Sequence, residues 1–451
     1  MKPRIYLPIE IKNRELVSRI YFAIYASKLG WSVVIGRKNK FINFIKKLRP
    51  GNYISKSVGD FKKIDKYLTK NNFVKSFIDE EGLMSFNETF THRRTSKEIL
   101  GKLQNYFVWG KNHFDEIKKL HPEFVDKIKI VGNSRIDIVK DNQVMLFKKE
   151  VEQIKKIYGD YFLLATKFGK VNYIKRKNVI SWYDSQLKKG LLFDENQKKI
   201  CKKSILHEKE NFENFINFLG DFEKKRLKTK LLIKVHPSEN PKIWEEIIKI
   251  KGYKNIYVCN DKFYTNSYIL GSRSLIQNNC TTSIEALFLN VPSLQLNVFK
   301  DKDVEYDLPK KISKEYNSNK ELIDYLLEID NKKNISPDKE KINLFSNYIE
   351  NYGGKFSFEM LINYLDKNIY HKNENFNFKF EKIKYSLKSY VYLIKNYLFD
   401  RGMIEVSNHK FRDLELGEIR KISYLLTNKD NLEKISIDEL LPGLFIFERS
   451  N

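Results

Sequence analysis

Three short polar segments each follow an apolar run and hold residue types that could do acid–base or phosphate chemistry. The first is the IDEEG run, in which Asp79, Glu80 and Glu81 precede Gly82. Adjacent like charges raise one another's pKa, so that one of these carboxylates could act as a general base near neutral pH. The alternative interpretation is a solvated acidic turn.

The second segment is KVHPSE, which contains His236 and Pro237. A histidine that follows a parallel strand could donate a hydrogen bond or a proton to a leaving phosphate, because its ordinary pKa is about 6.5. Proline fixes the direction of the backbone after it. The same dipeptide recurs at His121 and Pro122, where a helix is expected to end. The dipeptide alone is therefore weak evidence, and a loop histidine without a role is the alternative.

The third segment, NNCTTSIEAL, is predicted to join a strand to a helix and contains Asn279, Thr281, Thr282 and Glu285. Free backbone N–H groups and hydroxyls at a helix N-terminus can bind phosphate. Glu285, about one turn into the helix, could accept a hydrogen bond from a ribose. The alternative is an ordinary capping box, since Thr282 and Glu285 have the S/T-x-x-E spacing. Both interpretations can hold together.

Strands that alternate with helices are expected to position these segments. Such alternation predicts parallel sheets covered on both faces, in two successive Rossmann-like domains. We predict an N-terminal domain over 1–158, a second domain over 159–335 and a helical tail over 336–451. Ligands of such sheets bind at the carboxyl ends of the strands, so one substrate is expected in a cleft between the domains. The strands are predicted at 4–10, 31–36, 72–78, 106–110 and 127–133, then at 161–169, 231–237, 255–260, 274–279 and 291–297.

Composition sets outer limits on function. The 451 residues carry a formal net charge of +26 and 41 % hydrophobic residues, enough for buried cores and attractive to phosphate-rich partners. The alternative is that the whole sequence has a compositional bias toward Lys, Asn and Ile, and that the excess of Lys results from this bias and not from a binding surface. Three widely spaced cysteines and the lack of an apolar leader or membrane span favour a cytoplasmic protein.

Several functional classes lack their sequence signatures. There is no Walker A sequence and no GxGxxG after a strand, which argues against ATPases and NAD-dependent dehydrogenases. No cluster has metal-ligand spacing, so we expect no metal ion and no cofactor. Basic residues are dispersed and no RNA-binding motif is present, which argues against a nucleic-acid partner.

The order of the motifs resembles that of bacterial sialyltransferases and capsule Kdo transferases, which have the GT-B fold and carry acidic-Gly, HP and Ser/Thr motifs. The sequence is more similar to the family of bacterial surface carbohydrate biosynthesis proteins over about residues 4–300. The similar segments are LPIEIKNREL, IDEEGL, YFVWG, GNSRID, ATKFG, KVHPSE and NCTTSIEAL.

The resemblance implies a glycosyltransferase that moves an acidic ulosonic sugar, Kdo-like or nonulosonic, from a CMP-activated donor. The acceptor would be a surface polysaccharide or a glycolipid. Glu80 or Glu81 would be the catalytic carboxylate, with Glu80 preferred as the first acidic member of the E-E-G motif, and His236 would contact and could protonate the phosphate. The donor site would further include Gly82, Pro237, Asn279, Thr281, Thr282 and Glu285. The donor's own carboxylate has Lys234, Lys167 and Arg14 as candidate partners.

Alternatives stay open at this point. A CDP-alditol phosphotransferase of teichoic-acid type and a GT-B-fold nucleotide-sugar epimerase need similar residues, and a catalytically inactive polysaccharide-binding relative is also compatible. The segment 379–397 mixes Lys with apolar residues at helical spacing. It is expected either to pack back on the N-terminal domain or to lie peripherally on the anionic inner membrane.

Overall fold

The computed structural model describes residues 4–56, 58–80, 82, 95–140, 145–173, 180–188, 194–259, 262–332, 339–366, 414–427 and 434–450. They form two compact units. The first unit contains the described residues up to Ile138 and those from Phe345 onward, and the second runs from Val139 to Leu344. Each unit is built on one β-sheet.

The first unit contains an eight-stranded sheet in the order β13-β14-β2-β1-β3-β4-β5-β6. Strands β1 to β6 pair in parallel. Their sequences are almost continuously apolar because a parallel sheet is covered on both faces. The strands are β1 Arg4–Ile9, β2 Ser32–Arg37, β3 Gly51–Ser55, β4 Val74–Ile78, β5 Asn105–Val108, β6 Ile128–Ile130, β13 Ile435–Leu441 and β14 Leu444–Arg449.

The second unit contains a six-stranded, wholly parallel sheet in the order β12-β11-β10-β7-β8-β9. Phe162, Leu164, Leu231 and Ile233 belong to its buried core. The strands are β7 Tyr161–Ala165, β8 Lys230–Lys234, β9 Ile256–Val258, β10 Leu275–Gln277, β11 Ser293–Leu296 and β12 Lys314–Tyr316. Two Rossmann-like α/β units are therefore present, as the alternation of strands and helices predicts.

Helices connect the strands in both units. None of the described helices is long and apolar enough to cross a bilayer. The α-helices are α1 Lys12–Lys28, α2 Lys38–Phe44, α3 Val58–Lys70, α4 Lys97–Lys102, α5 Lys111–Leu120, α6 Ser134–Asp137, α7 Met145–Tyr158, α8 Ile180–Lys188, α9 Glu195–Lys225, α10 Pro241–Lys251, α11 Thr265–Gly271, α12 Thr282–Phe288, α13 Asp307–Ile312, α14 Asn319–Asp330, α15 Ser357–Asp366 and α16 Leu416–Leu426.

The prediction of a wholly helical tail is wrong at the C-terminal end of the described chain. Strands β13 and β14 form an antiparallel hairpin, and β14 pairs with β2 at the edge of the first sheet. Leu444 to Phe447 are all buried where β14 pairs with β2, and Gly443 adopts a φ of +74° in the tight turn between β13 and β14. A continuous apolar run next to a glycine turn suits a hairpin better than a one-sided helix.

The chain enters and leaves the second unit at other positions than the predicted 158/159 and 335/336. The crossings follow Ile138 and Leu344. Helix α7 lies in the second unit because its Glu150 carboxylate accepts hydrogen bonds from Tyr264 N at 3.0 Å and Ser267 Oγ at 2.6 Å. The basic segment 379–397 lies outside the described residues.

Candidate functional site

The predicted phosphate-binding residues of the second unit gather at one edge of its sheet. Strand β7 lies between β10 and β8, so the loops that follow these three strands are neighbours at the carboxyl edge. Lys167 follows β7, His236 follows β8 and Asn279 follows β10. The KVHPSE and NNCTTSIEAL segments, far apart in sequence, thus lie on either side of the ATKFG segment. The motifs alone did not predict that ATKFG lies between them.

His236 is held by hydrogen bonds that define its chemistry. Its backbone N–H donates to Thr166 Oγ1 at 3.0 Å, and its Nδ1 lies 2.7 Å from Ser238 Oγ. The Ser238 backbone N–H donates to Nδ1 at 3.2 Å. An Nδ1 that accepts a backbone N–H must present a lone pair, so we infer that the neutral ring carries its proton on Nε2. A donor at Nε2 suits a phosphate oxygen.

A glycine allows Ser238 to reach that histidine. A Cβ on Gly169 would lie 2.0 Å from Ser238 Oγ. Any side chain at position 169 would therefore displace the serine hydroxyl that contacts the imidazole. This close approach explains why glycine ends the ATKFG segment.

Glu239 organises the loops around His236 and Pro237. Its carboxylate is fully buried and accepts hydrogen bonds from Thr166 Oγ1 at 2.7 Å, Phe168 N at 2.8 Å and Trp244 Nε1 at 3.1 Å. Burial raises the pKa of Glu239 to about 7, against the lowering effect of these donors. Glu239, two residues after Pro237, thus joins the loops that follow β7 and β8 to helix α10. The motifs predicted no role for Glu239, although a carboxylate directly after the HPS tripeptide was a signal.

The Ser/Thr segment does not form the capping box that its spacing allows. Thr281 is the N-cap of helix α12 and makes no side-chain capping bond. The Thr282 Oγ1 atom is buried, and among the described residues it has no hydrogen-bond partner. Glu285 is only 7 % exposed. The alternative of an ordinary cap therefore does not account for Thr282, and a ribose contact by Glu285 stays a prediction.

Asn279 positions the backbone around it. Its φ is +47°, a left-handed conformation that asparagine tolerates better than most residues. Its Nδ2 donates to Tyr306 O at 2.7 Å, and its Oδ1 accepts from Tyr306 N. The side chain is therefore committed to the loop that carries Tyr306. The carbonyl of Asn279 accepts from Lys167 Nζ at 2.9 Å.

In the first unit, Glu80 lies in a buried ion pair. Its carboxylate contacts Arg19 and accepts from Asn133 Nδ2 at 3.1 Å. Burial alone would raise the pKa of Glu80, but the Arg19 and Lys56 cations outweigh it and hold the pKa below its ordinary value. The expectation that neighbouring carboxylates raise this pKa is therefore wrong for Glu80, because buried cations face it.

A second buried carboxylate, Glu15, shares this network. It is fully buried, ion-paired with Lys56, and accepts from Glu10 N at 3.0 Å. Burial raises the pKa of Glu15, yet Lys56, Arg14 and Arg19 hold it at about 2. Arg14 Nη2 lies 3.5 Å from Glu15 Oε1. The sequence signal for this cluster was the i, i+4 pair of Glu15 and Arg19 among buried apolar residues of helix α1.

The other members of the acidic motif have separate surroundings. Asp79 accepts from Tyr106 OH at 3.0 Å, and one of its carboxylate oxygens lies 3.6 Å from His113 Nε2. A Cβ on Gly82 would lie 2.4 Å from His113 Nδ1, so glycine is required by this contact. Glu81 lies outside the described residues.

The GNSRID segment joins Glu80 to the part of the chain that returns from the second unit. The backbone N–H of Asn133 donates to Asn351 Oδ1 at 2.9 Å, and its carbonyl accepts from Asn351 Nδ2 at 2.9 Å. Asp137 accepts from Ser357 N at 3.0 Å at the start of helix α15. This motif, for which the sequence predicted no specific role, therefore has a structural role.

The remaining candidate cations have defined contacts. Lys234 Nζ lies 5.6 Å from the ring centroid of Tyr268, and Lys167 Nζ lies 3.9 Å from that of Tyr306. Within the described ranges, no group of three or more His, Cys, Asp and Glu side chains is arranged to hold a metal ion.

Comparison with known proteins identifies the fold. The sequence matches no protein-family model and no curated protein. A solved structure from Listeria monocytogenes, described as a UDP-N-acetylglucosamine 2-epimerase, is 13 % identical with a TM-score of 0.51, over 84 % of this chain and 100 % of that chain. At this identity the similarity concerns the fold alone. The prediction of a GT-B-like α/β fold is confirmed, and a shared cleft stays a prediction.

Two further solved structures are similar at lower scores. The UDP-GlcNAc 2-epimerase of Methanocaldococcus jannaschii is 16 % identical with a TM-score of 0.48, over 81 % of this chain and 100 % of that chain. The wall teichoic acid polymerase TagF is 10 % identical with a TM-score of 0.49, over 81 % of this chain and 90 % of that chain.

Proposed function

We propose that this protein is a glycosyltransferase that takes an acidic ulosonic sugar from a CMP-activated donor and transfers it to a saccharide or lipid-linked acceptor of the bacterial surface. The observation that carries the proposal is the carboxyl edge of the second sheet. There, a histidine with an inferred Nε2 proton lies one strand away from a lysine and two strands away from the Thr281–Thr282 loop. This edge is where Rossmann-like sheets bind nucleotides.

The chemistry of the donor suits these groups. When the bond between the sugar and CMP breaks, negative charge grows on the phosphate while the sugar becomes oxocarbenium-like. Donors that already point at that charge stabilise the transition state without reorganisation. We assign this role to His236 Nε2, Thr281 and Thr282, with Pro237 and Asn279 holding their loops and Glu285 as the proposed ribose partner.

The acceptor hydroxyl requires a base, and the buried ion pair between Glu80 and Arg19 argues against Glu80 in that role. A base must hold an available lone pair at a pKa near the working pH. Glu80 is ion-paired with Arg19 and its pKa is lowered, while Asp79 accepts from Tyr106. We therefore propose that Glu81 removes the proton and that Glu80 anchors the motif, with Gly82 packed on His113.

Substitution of the two glutamates separates these roles. Glu81→Gln should abolish transfer and leave the fold intact, since it removes only the proposed base. Glu80→Gln should lower both turnover and thermal stability, because it leaves Arg19 without its ion-pair partner. Product formation and melting temperature measured together decide the assignment. Full turnover in Glu81→Gln would contradict it.

The nucleotide test uses thermal stabilisation by CMP, CDP, UDP and GDP at matched concentrations. We expect the largest shift with CMP, its loss in His236→Ala, and its retention in the exposed control Lys242→Ala. Ser238→Ala should give an intermediate shift, because the imidazole remains but loses one contact at Nδ1. An equal thermal shift with CMP in the wild type and in His236→Ala would contradict the assignment of His236 as a phosphate contact.

One alternative has a specific observation in its favour. The shared fold with the Listeria protein, described as a UDP-N-acetylglucosamine 2-epimerase, makes a nucleotide-sugar epimerase the second candidate. A preference for UDP over CMP in the same assay would favour it. A preference for CDP would instead favour the CDP-alditol phosphotransferase.

A further inference from the structure

Lys167 is a cation on the candidate donor edge without an ion-pair partner in the described parts of the chain. It is the second residue after β7, between the loops that follow β8 and β10. Its ammonium donates to the neutral carbonyl of Asn279 at 2.9 Å and lies 3.9 Å from the ring centroid of Tyr306. Neither contact supplies a full negative charge.

The neighbouring charged groups have partners of their own. Lys170, on the same loop, is ion-paired with Glu208 Oε2 at 3.3 Å. Glu305 Oε1 lies 3.4 Å from His207 Nε2 and accepts from Asp301 N at 2.9 Å. Of the two lysines on this loop, Lys170 therefore has a carboxylate partner and Lys167 has none among the described residues.

The surroundings of Lys167 are fixed before any ligand binds. The Asn279 side chain binds both backbone polar groups of Tyr306, and the Asn279 carbonyl accepts from Lys167. One residue thus positions both contacts of the ammonium. An ammonium has three N–H donors, so two remain for an anion once Asn279 has taken one.

We propose that Lys167 binds the phosphate of the nucleotide donor, an inference that rests on the proposed nucleotide site at this edge. The carbonyl that Lys167 contacts lies two residues before Thr281, so its ammonium adjoins the loop that carries the proposed phosphate donors. A phosphate there supplies the missing negative charge and charge-assisted hydrogen bonds. The carboxylate of the donor's sugar is the other anionic group that could bind Lys167, and the experiment distinguishes it from the phosphate.

The first experiment measures dissociation constants by calorimetry for cytidine, CMP and CMP-N-acetylneuraminate. We expect Lys167→Met to weaken CMP by about 10- to 100-fold, the usual effect of a lost charged hydrogen bond, with cytidine unchanged. Lys167→Arg should restore most of the affinity. The control Lys170→Met removes a lysine that already has a carboxylate partner, and it should bind CMP like the wild type.

The other outcomes separate a failure of this inference from a failure of the proposed function. Normal binding of CMP by Lys167→Met, with a loss for the sugar nucleotide alone, would assign the lysine to the carboxylate. If the wild type binds uridine and UMP instead, the CMP proposal fails. A 10- to 100-fold loss of UMP affinity in Lys167→Met, with uridine unchanged, would then support the inference about Lys167, and an unchanged UMP affinity would overturn it. If the wild type binds no nucleoside monophosphate, the inference and the proposed function both fail.

A pH series adds a readout that a merely structural lysine would not move. Burial and then Lys170 lower the pKa of Lys167 to about 8. The dissociation constant for CMP should therefore rise between pH 7.5 and about 9.5, where the phosphate itself no longer titrates. The other titratable groups around this lysine are Cys280, Tyr306, Lys170, Glu208 and Glu305.

Lys167→Arg distinguishes the lysine from those neighbours, because it changes the titration of residue 167 and leaves the neighbouring side chains in place. The arginine stays charged throughout, so its dissociation constant for CMP should be flat over this range. The same rise in Lys167→Arg as in the wild type would assign the pH dependence to a neighbour and contradict the inference.

Discussion

Replacement of Arg19 by methionine should leave the Glu80 carboxylate buried without its closest counter-charge. The two side chains are only 2 % and 4 % exposed, so water cannot take over the role of the guanidinium. Breaking a buried ion pair from one side costs about 3–5 kcal/mol. Because Asn133 still donates to Glu80 at 3.1 Å, and Lys56 also lies near enough to lower its pKa, we expect the lower end, about 3 kcal/mol.

The double variant Arg19→Met with Glu80→Gln removes both charges and should recover most of that loss. Replacing both members of a buried pair by neutral groups is often close to neutral. Stability should be measured by hydrogen exchange of peptides from strand β4 and helix α1, because a chain with two units need not unfold in one step. Glu80→Gln alone completes the double-mutant cycle.

The pH dependence provides an independent check. In the wild type, the pKa of Glu80 lies below its ordinary value of 4.5, so its contribution is present above pH 4.5 and is lost as the pH falls through the folded-state pKa. Without Arg19, burial should raise that pKa above 4.5. The deficit of Arg19→Met should then shrink as the pH falls from about 7 to about 5. A deficit below about 1 kcal/mol with additive single variants would refute this account.

Three further outcomes are expected. Gly132→Ala should destabilise the first unit by about 1–3 kcal/mol in denaturant titrations. A Cβ at position 132 would lie 2.0 Å from Asn351 Oδ1, and the φ of +73° strains any residue with a side chain. Adding Asn351→Ala removes the clash but not the backbone strain, and it also removes the hydrogen bonds of Asn351 to Asn133, so it should not restore stability. Burial raises the pKa of Glu239 to about 7, so thermal denaturation should show wild-type stability falling relative to Glu239→Gln as the pH rises from about 4.5 to 7. Trp244→Phe should cost about 1 kcal/mol in the same assay through the lost hydrogen bond to Glu239.

The fold class was predictable because it depends on a local pattern repeated many times. Short apolar runs alternating with amphipathic stretches can bury their apolar surface only as parallel sheets covered by helices. The end of the tail shows the limit of that reasoning. The hairpin at 435–449 gains its stability from pairing with β2, a partner about four hundred residues earlier in the chain, which no local window contains.

The shared position of the candidate segments at one sheet edge was predictable, but the electrostatics around them were not. The motif order located His236 and the Thr281–Thr282 loop, because residues after parallel strands meet at one edge. The same reasoning assigned Glu80 a raised pKa from its acidic neighbours in sequence. The opposite sign results from Arg19, on the helix that follows β1, whereas Glu80 follows β4.

The sequence by itself determined ten of the fourteen described strands, β1, β2 and β4 to β11, and which polar residues follow them, whereas β3, β12, β13 and β14 were not predicted. Those properties follow from periodicity and from the alternation of elements. Only the tertiary structure decided which charges face one another: Glu80 with Arg19, Glu15 with Lys56, and Lys167 with the neutral carbonyl of Asn279. The physical reason is that the free energy of a buried charge depends on distances of a few ångströms across the fold, whereas sequence separation carries no such information.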